Sequence, residues 1–335
     1  MIYSFNLASK LTKHIIVNNF KKNDKFAYVL MLEPLFKCNL SCSGCGRIIE
    51  YKNYMSEMLS VEQCLDAALQ AKAPVVSITG GEPLLHPQIK EIISVLIKNK
   101  FFVYLCTNGL KLYEFIDEIK PDKRLSIVVH LDGLEGTHSM ITRNNLVFKK
   151  ALDGIKKAAK LNFTVRTNTT IYKDTDINEI LSFFKMVTNY GVHSIMVSPG
   201  FYYERVENNI FLEKEEVNKT FYKLYNSLNG VKIYNTPFYW EFLSGNRNLK
   251  CTPWANPTFN VAGWKSPCYL ITDTHFPTYK DLITQTNWDN YGPDKDLRCK
   301  NCMVHCGFEA SAIKSIKSLK DIYKVLKWSF LGKKP

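Results

Sequence analysis

Tyr28-Val-Leu-Met-Leu-Glu-Pro-Leu-Phe-Lys-Cys38-Asn-Leu-Ser-Cys42-Ser-Gly-Cys45 runs an apolar, β-branched stretch straight into a loop with three cysteines. The arrangement recurs at Val75-Val-Ser-Ile-Thr79-Gly80-Gly81-Glu82-Pro83, where a second apolar run ends in two glycines and a carboxylate. Each reads as a strand buried on both faces that empties into a loop of reactive residues. Outward from this pair, further strand candidates fall at Phe101–Cys106, Leu125–Leu131, Phe163–Thr169 and Ser194–Ser198. Helix candidates lie between them near 60–72, 86–99, 111–119, 145–160 and 176–190. Repeated strand–helix units of this kind imply parallel strands and a partial (β/α)6 TIM-like barrel, with its chemistry where strands end and loops begin.

The remainder of the chain has another character. Residues 1–27 read as an N-terminal helical extension, 28–200 as the barrel, and 201–335 as a smaller C-terminal subdomain with a second cysteine group. A helical stretch is expected around 213–228, and a C-terminal helix carries Ile313, Ile316, Leu319, Ile322, Leu326 and Phe330 at helical spacing. Lys314, Lys317, Lys320, Lys324 and Lys327 lie between those apolar residues, so the helix reads either as a basic amphipathic surface for an anionic bilayer or as an element packed on the body. The net charge of +13 comes without an aromatic-interleaved basic patch, which argues against nucleic acid as a partner. No run of eighteen apolar residues and no leader pattern appear, so a cytoplasmic location is expected, peripheral to the inner face of the membrane if the helix binds lipid. In such a setting ten cysteines point to metal or redox chemistry rather than disulfides.

Three thiolates in eight residues, Cys38, Cys42 and Cys45, wrap three irons of a cubane and leave the fourth iron open to a small molecule. The rival, structural zinc, lacks a nearby fourth ligand here. Two glycines at a strand end allow a close backbone approach to a ligand, and the Glu82 carboxylate suits an amino group.

Together these segments resemble the radical SAM superfamily, which implies a 4Fe-4S cluster on Cys38, Cys42 and Cys45 and S-adenosylmethionine (SAM) at its open iron. The resemblance assigns Gly80, Gly81 and Glu82 to SAM binding. It extends to Thr107-Asn108-Gly109 after the third strand, to Leu131-Asp132-Gly133 after the fourth, and to Asn168 with Asn178-Glu179-Ile180 on and after the fifth, where Asp132 and Asn168 join the SAM-binding set. One departure stands out: the residue before the last cluster cysteine, commonly an aromatic that touches adenine in the family, is Gly44.

Longer strings narrow the likeness. Leu32–Gly46, Pro237-Phe-Tyr-Trp240, Cys251-Thr-Pro-Trp254, Ser266-Pro-Cys-Tyr-Leu270 and Cys299-Lys-Asn-Cys-Met-Val-His-Cys-Gly307 resemble the adenosylhopane synthase family of hopanoid biosynthesis. That implies addition of the 5′-deoxyadenosyl radical to the terminal alkene of diploptene, an apolar polycyclic lipid, giving adenosylhopane and methionine. A flavodoxin or ferredoxin would supply electrons, and Cys106, at the end of the third strand, would donate the hydrogen atom that quenches the product radical. The alternative for Cys106 is a small buried core residue.

The second group is Cys251, Cys268, Cys299, Cys302 and Cys306, and Cys251-x11-Gly263-x4-Cys268 has the spacing of hairpins that begin auxiliary-cluster domains in radical SAM peptide-modifying enzymes. A second iron-sulfur cluster, zinc with His305 as a further ligand, and thiols without metal are the alternatives. Cys64 reads as core; His86 and His130, at strand ends, read as structural histidines. Two other functions compete: a peptide-modifying or maturase-type radical SAM enzyme that abstracts hydrogen and releases 5′-deoxyadenosine, and a non-catalytic iron-sulfur or zinc scaffold.

Overall fold

The computed structural model describes residues 2, 4–202, 206, 210–316 and 318–331. The expected strands form as β1 (Val29–Glu33), β2 (Val75–Ile78), β3 (Phe102–Thr107), β4 (Leu125–His130), β5 (Thr164–Ile171) and β6 (Ser194–Pro199). All pair in parallel with their sequence neighbours. Helices Val61–Ala71, Ile89–Lys98, Val147–Lys160 and Ile177–Asn189 cover the outer face, as right-handed βαβ crossovers require. The helix expected near 111–119 shrinks to Leu112–Phe115.

Alternation along the strands divides the sheet into two faces. Val103 and Leu105 of β3 and Val165 and Ile171 of β5 meet the helices in the main core. Phe102, Tyr104 and Cys106 of β3 turn the other way, into the barrel, where they join Val29, Val75, Val128, Met196 and Tyr234. Polar residues on this inner face pair with one another: the hydroxyls of Tyr104 and Tyr234 are hydrogen-bonded, and the Arg166 guanidinium lies 4.4 Å from the Tyr234 ring centroid.

Three strands from the C-terminal part extend the same sheet, giving the order β6-β5-β4-β3-β2-β1-β7-β8-β9. Here β7 is Thr258–Asn260, β8 Gly263–Pro267 and β9 Thr272–Phe276. β7 pairs in parallel with β1, and β8 and β9 follow as antiparallel hairpins. The second cysteine group is thereby carried to the edge beside the first cysteine loop.

The floor of the barrel is closed by segments far apart in the chain. Ile2 and Trp328 are buried against Tyr104 and Val128, and the Ile2 amide donates to the Ser329 carbonyl at 2.8 Å. The expected single C-terminal helix is instead two, His305–Lys314 and Leu319–Leu331. The first ends at Lys314, with Cys306, Ser311 and Ala312 packed inward, and the second, from Leu319, carries Trp328 to the floor. In consequence Val325 and Trp328 dock, and Leu319, Ile322, Leu326 and Phe330 stay 85%, 46%, 48% and 52% exposed. Lys317, one of the lysines counted for this helix, lies outside the described residues. Among the described residues no helix is long and apolar enough to cross a membrane.

Trp328 fills the floor and donates its indole N–H to the Ile233 carbonyl at 3.2 Å. Trp328→Ala is expected to cost about 3–5 kcal/mol through the cavity and the lost hydrogen bond, measured as a shift in the urea midpoint at unchanged slope.

Candidate active site

The mouth of the barrel is assembled by a backbone splice. The amides of Thr79, Gly81 and Glu82 donate to the carbonyls of Leu32 (2.7 Å), Leu35 (2.9 Å) and Lys37 (2.9 Å), zipping the strand end of β2 onto the segment that leads into Cys38. A Cβ on Gly80 would sit 2.3 Å from the Leu35 carbonyl oxygen, at φ +108°, and one on Gly81 would sit 2.2 Å from that of Lys37. The two glycines therefore serve close approach to the cysteine loop itself.

Glu82 is buried, and burial pushes its carboxyl up while its hydrogen bonds pull it down. Its carboxylate accepts from Thr107 Oγ1 at 2.7 Å, the Asn108 amide at 2.8 Å and the Leu84 amide at 3.1 Å. The Thr107-Asn108-Gly109 turn thus acts as the clamp for Glu82. The Asn108 side chain reaches back to Asn39 at 2.8 Å and lies 4.0 Å from Cys38 Sγ.

Cys38, Cys42 and Cys45 are half-buried free thiols that share one electrostatic neighbourhood. Burial first pushes Cys38 up to about 11 and Cys42 to about 12, and the charge of Cys45 adds to both. Thiolates that repel one another in this way gain most from a shared cationic cluster, so the donor set fits a cubane on the three.

Beyond them Asp132, fully buried, accepts from His130 Nε2 at 2.8 Å and from the Thr170 amide at 2.9 Å. His138 Nδ1 accepts from the Asp132 amide at 3.2 Å. Asn168 stands on β5 opposite His130, and its Oδ1 is buried without a hydrogen-bond partner, an acceptor to which a ribose hydroxyl is suited. Glu179 instead holds the start of the helix Glu135–Thr142 through the Leu134 amide and Thr137 Oγ1, both at 2.8 Å. His86 is satisfied by the Leu59 carbonyl and the Gln88 amide. Cys64 is fully buried in core.

Cys106 lies on the inner face of β3 with its thiol 3.4 Å from Ser77 Oγ. Burial is the main reason that this thiol is pushed up to about 11.

Cys251, Cys268, Cys299, Cys302 and Cys306 line one pocket together with Phe201. After burial, the charges of the four others are what push Cys251 well up. His305 is not among the residues that line this pocket. The thiols ring the pocket wall, and among the described residues no three His, Cys, Asp or Glu side chains gather around a single-ion position.

A buried charged network joins the two cysteine groups. Arg47, two residues after Cys45, lies 3.2 Å from Glu33 and donates to the carbonyl of Tyr269, the neighbour of Cys268. Lys265 donates to the same carbonyl at 3.0 Å and to Glu50 at 3.3 Å. Sequence reading missed Glu33, Arg47 and Lys265. Glu33 carried a signal, being the one charge in an apolar strand that must find a partner.

A partial parallel barrel with a three-cysteine loop at its mouth defines the class: an open α/β barrel that holds an iron-sulfur cluster and SAM. Residues 32–187 match the family model described as the radical SAM superfamily, so this segment is a radical SAM domain, whose cofactors are a 4Fe-4S cluster and SAM. Residues 195–325 match a model described as a domain of unknown function (DUF3463). The chain is similar to the probable GTP 3′,8-cyclase of Pyrococcus horikoshii, 32% identical over 43% of this chain and 47% of that protein. It is 30% identical to the GTP 3′,8-cyclase of Aquifex aeolicus over 49% and 54% of the two chains. It spans about half the length of these curated relatives. Streptococcus suis SuiB bound to precursor peptide SuiA superposes with a TM-score of 0.60 at 12% identity, over 87% of this chain and 74% of that one. The anSMEcpe structure with bound AdoMet and Cp18Cys peptide gives 0.55 at 16% identity, over 90% and 96%. Both likenesses are of fold.

Gly81→Ala is expected to break the splice and empty the first cysteine loop. Iron per chain after anaerobic reconstitution should fall by about four atoms while the far-ultraviolet circular dichroism is retained.

Proposed function

We propose that this protein is a radical SAM adenosyltransferase that joins the 5′-deoxyadenosyl group to the terminal alkene of diploptene, giving adenosylhopane and methionine. The observation that carries this reading is Cys106: a protonated thiol on the inner face of β3, one residue from the Glu82 clamp, among Val75, Val128, Tyr104 and Met196. When bound, the reduced cluster and SAM supply a primary adenosyl radical, whose addition to the alkene leaves a tertiary carbon radical. The chain must then deliver one hydrogen atom to it. A thiol held above neutrality keeps its S–H at pH 7 and suits that transfer, whereas a thiolate has no hydrogen to give. Thiyl left on Cys106 takes one electron and one proton to return to thiol, so a donor such as a flavodoxin or ferredoxin serves both cleavage and reset.

Glu82, Gly80, Gly81, Asp132 and Asn168 are proposed to hold SAM, with Cys38, Cys42 and Cys45 holding the cluster. A second 4Fe-4S cluster is proposed in the five-cysteine pocket. Iron retained by the Gly81→Ala variant, about four atoms per chain, measures it. Contact with the membrane is proposed at the exposed stripe Leu319, Ile322, Leu326 and Phe330, flanked by exposed Lys320 and Lys327.

A second reading, hydrogen abstraction from a peptide, is favoured by the five-cysteine pocket and by the peptide complexes among the structural likenesses. The fate of the adenosyl group separates the two: addition builds it into product, and abstraction releases 5′-deoxyadenosine.

With SAM, reductant and diploptene, wild-type protein is expected to give adenosylhopane by mass analysis, and Cys106→Ala to cleave SAM yet lose saturated product by at least about a hundredfold. Wild-type yield from Cys106→Ala would remove the donor role, and stoichiometric free 5′-deoxyadenosine would favour the second reading. Replacing Leu319, Ile322, Leu326 and Phe330 with Gln is expected to abolish sedimentation with anionic vesicles while leaving SAM cleavage intact; unchanged sedimentation would rule out this face.

A further inference from the structure

The cysteine loop has no side chain at position 44, yet it is not without an aromatic ring. A Cβ built on Gly44 would meet Tyr172 Cε1 and the Tyr172 hydroxyl oxygen, each at 3.1 Å. Tyr172 follows directly on β5, so a ring from the far side of the mouth lies against the loop between two cluster cysteines. The charges of Asp132, Cys42 and Cys45 all reach its hydroxyl.

The ring is fixed from several directions. The Tyr172 amide donates to Thr175 Oγ1 at 3.1 Å, and the Lys173 amide donates to the Ile210 carbonyl at 2.8 Å. The Phe211 ring packs on it at 5.9 Å and 56°. A ring held this way is preorganised and costs little ordering on binding. Tyr172 also continues, at a spacing of two, the face of β5 that carries Asn168 and Thr170.

We propose that Tyr172 supplies the aromatic surface on which the adenine of SAM rests, from the end of β5, in the space that a glycine at position 44 leaves open. The proposal rests on the reading that this mouth binds SAM. Two features make the exchange specific. A side chain at 44 and the Tyr172 ring compete for one volume, so the loop glycine and the strand-end tyrosine are two halves of one arrangement. Asn168, whose Oδ1 is an unpartnered buried acceptor, sits four residues earlier on the same strand, so a ribose and its base would follow the strand outward.

The test is equilibrium binding to the reconstituted, unreduced holoprotein with three probes: SAM, 5′-deoxyadenosine and methionine. Base–aromatic stacking is worth about 1–3 kcal/mol per base. Tyr172→Leu is therefore expected to weaken SAM and 5′-deoxyadenosine by about tenfold or more, with methionine affinity and iron content at the wild-type level. Tyr172→Phe is expected to bind all three within about twofold of wild type. Gly44→Tyr placed in the Tyr172→Ala protein is expected to recover most of the lost affinity by offering a ring from the other side. Undiminished 5′-deoxyadenosine binding by Tyr172→Leu overturns the proposal, as does an equal loss for methionine, which would mark a distorted loop. Wild-type protein that binds neither SAM nor methionine would instead defeat the underlying reading of the mouth.

Discussion

Everything at the mouth of this barrel hangs on the three backbone hydrogen bonds between residues 79–82 and 32–37. They fix how far the cysteine loop stands from the sheet, because Cys38 begins one residue after the last bonded carbonyl. They also bury Glu82, whose carboxylate would be costly there without donors. Three donors reach it, two of them from the Thr107-Asn108 turn. The same residues therefore join β1, β2 and β3 at their C-terminal ends, and a side chain at Gly80 or Gly81 would force all three apart. Composition at these positions follows from distance: only a glycine lets two backbones lie so close.

The second constraint is the charged bridge from Arg47 and Glu33 to Lys265 and Glu50. Glu33, Arg47 and Lys265 lie buried with a half-buried Glu50 in one cluster, and the carbonyl of Tyr269 accepts from both bases. Removing one member would leave a buried charge uncompensated, typically about 3–5 kcal/mol. Its placement is what matters for the chemistry. It pins the residue after Cys268 to the residue two beyond Cys45, so the two cysteine groups are held in one rigid frame and the hairpin of β8 and β9 cannot drift from the barrel mouth.

How much of this was legible in the chain depends on the range of the interaction. The six parallel strands were, because nearly every residue from Val75 to Ile78 or Leu125 to Val129 is apolar and buried on both faces, a pattern that needs no partner to be read. The cysteine loop and Gly-Gly-Glu were legible as spacing, but the partner of the glycines was not: it is the loop itself, more than forty residues upstream. β7 was illegible since Thr258-Phe-Asn260 is three residues long with two of them polar, and its pairings with β1 and β8 make it a strand. The C-terminal helix was misjudged for the opposite reason. Its local periodicity is real, but Trp328 is claimed by the barrel floor, and a helix continuous from Ile313 could not deliver it there.

Closure of that floor bears directly on what the interior can do. Ile2 and Trp328 seal the end of the barrel remote from the cysteine loop, and Tyr104, Tyr234 and Arg166 satisfy one another just above it. At that depth the hydroxyls of Tyr104 and Tyr234 pair with one another and Arg166 donates to Ser194 and to the Ile2 carbonyl, while Val128, Met196 and Ser77 lie about Cys106. In the proposed addition, a carbon radical formed there would need a weak hydrogen source close by. The S–H of Cys106 would be that source, and burial pushes its thiol up to about 11. Burial pushes both thiols, Cys106 and Cys64, up and makes both poor nucleophiles; what separates them is the face, since Cys106 turns into the barrel and Cys64 is walled into the helix–sheet core.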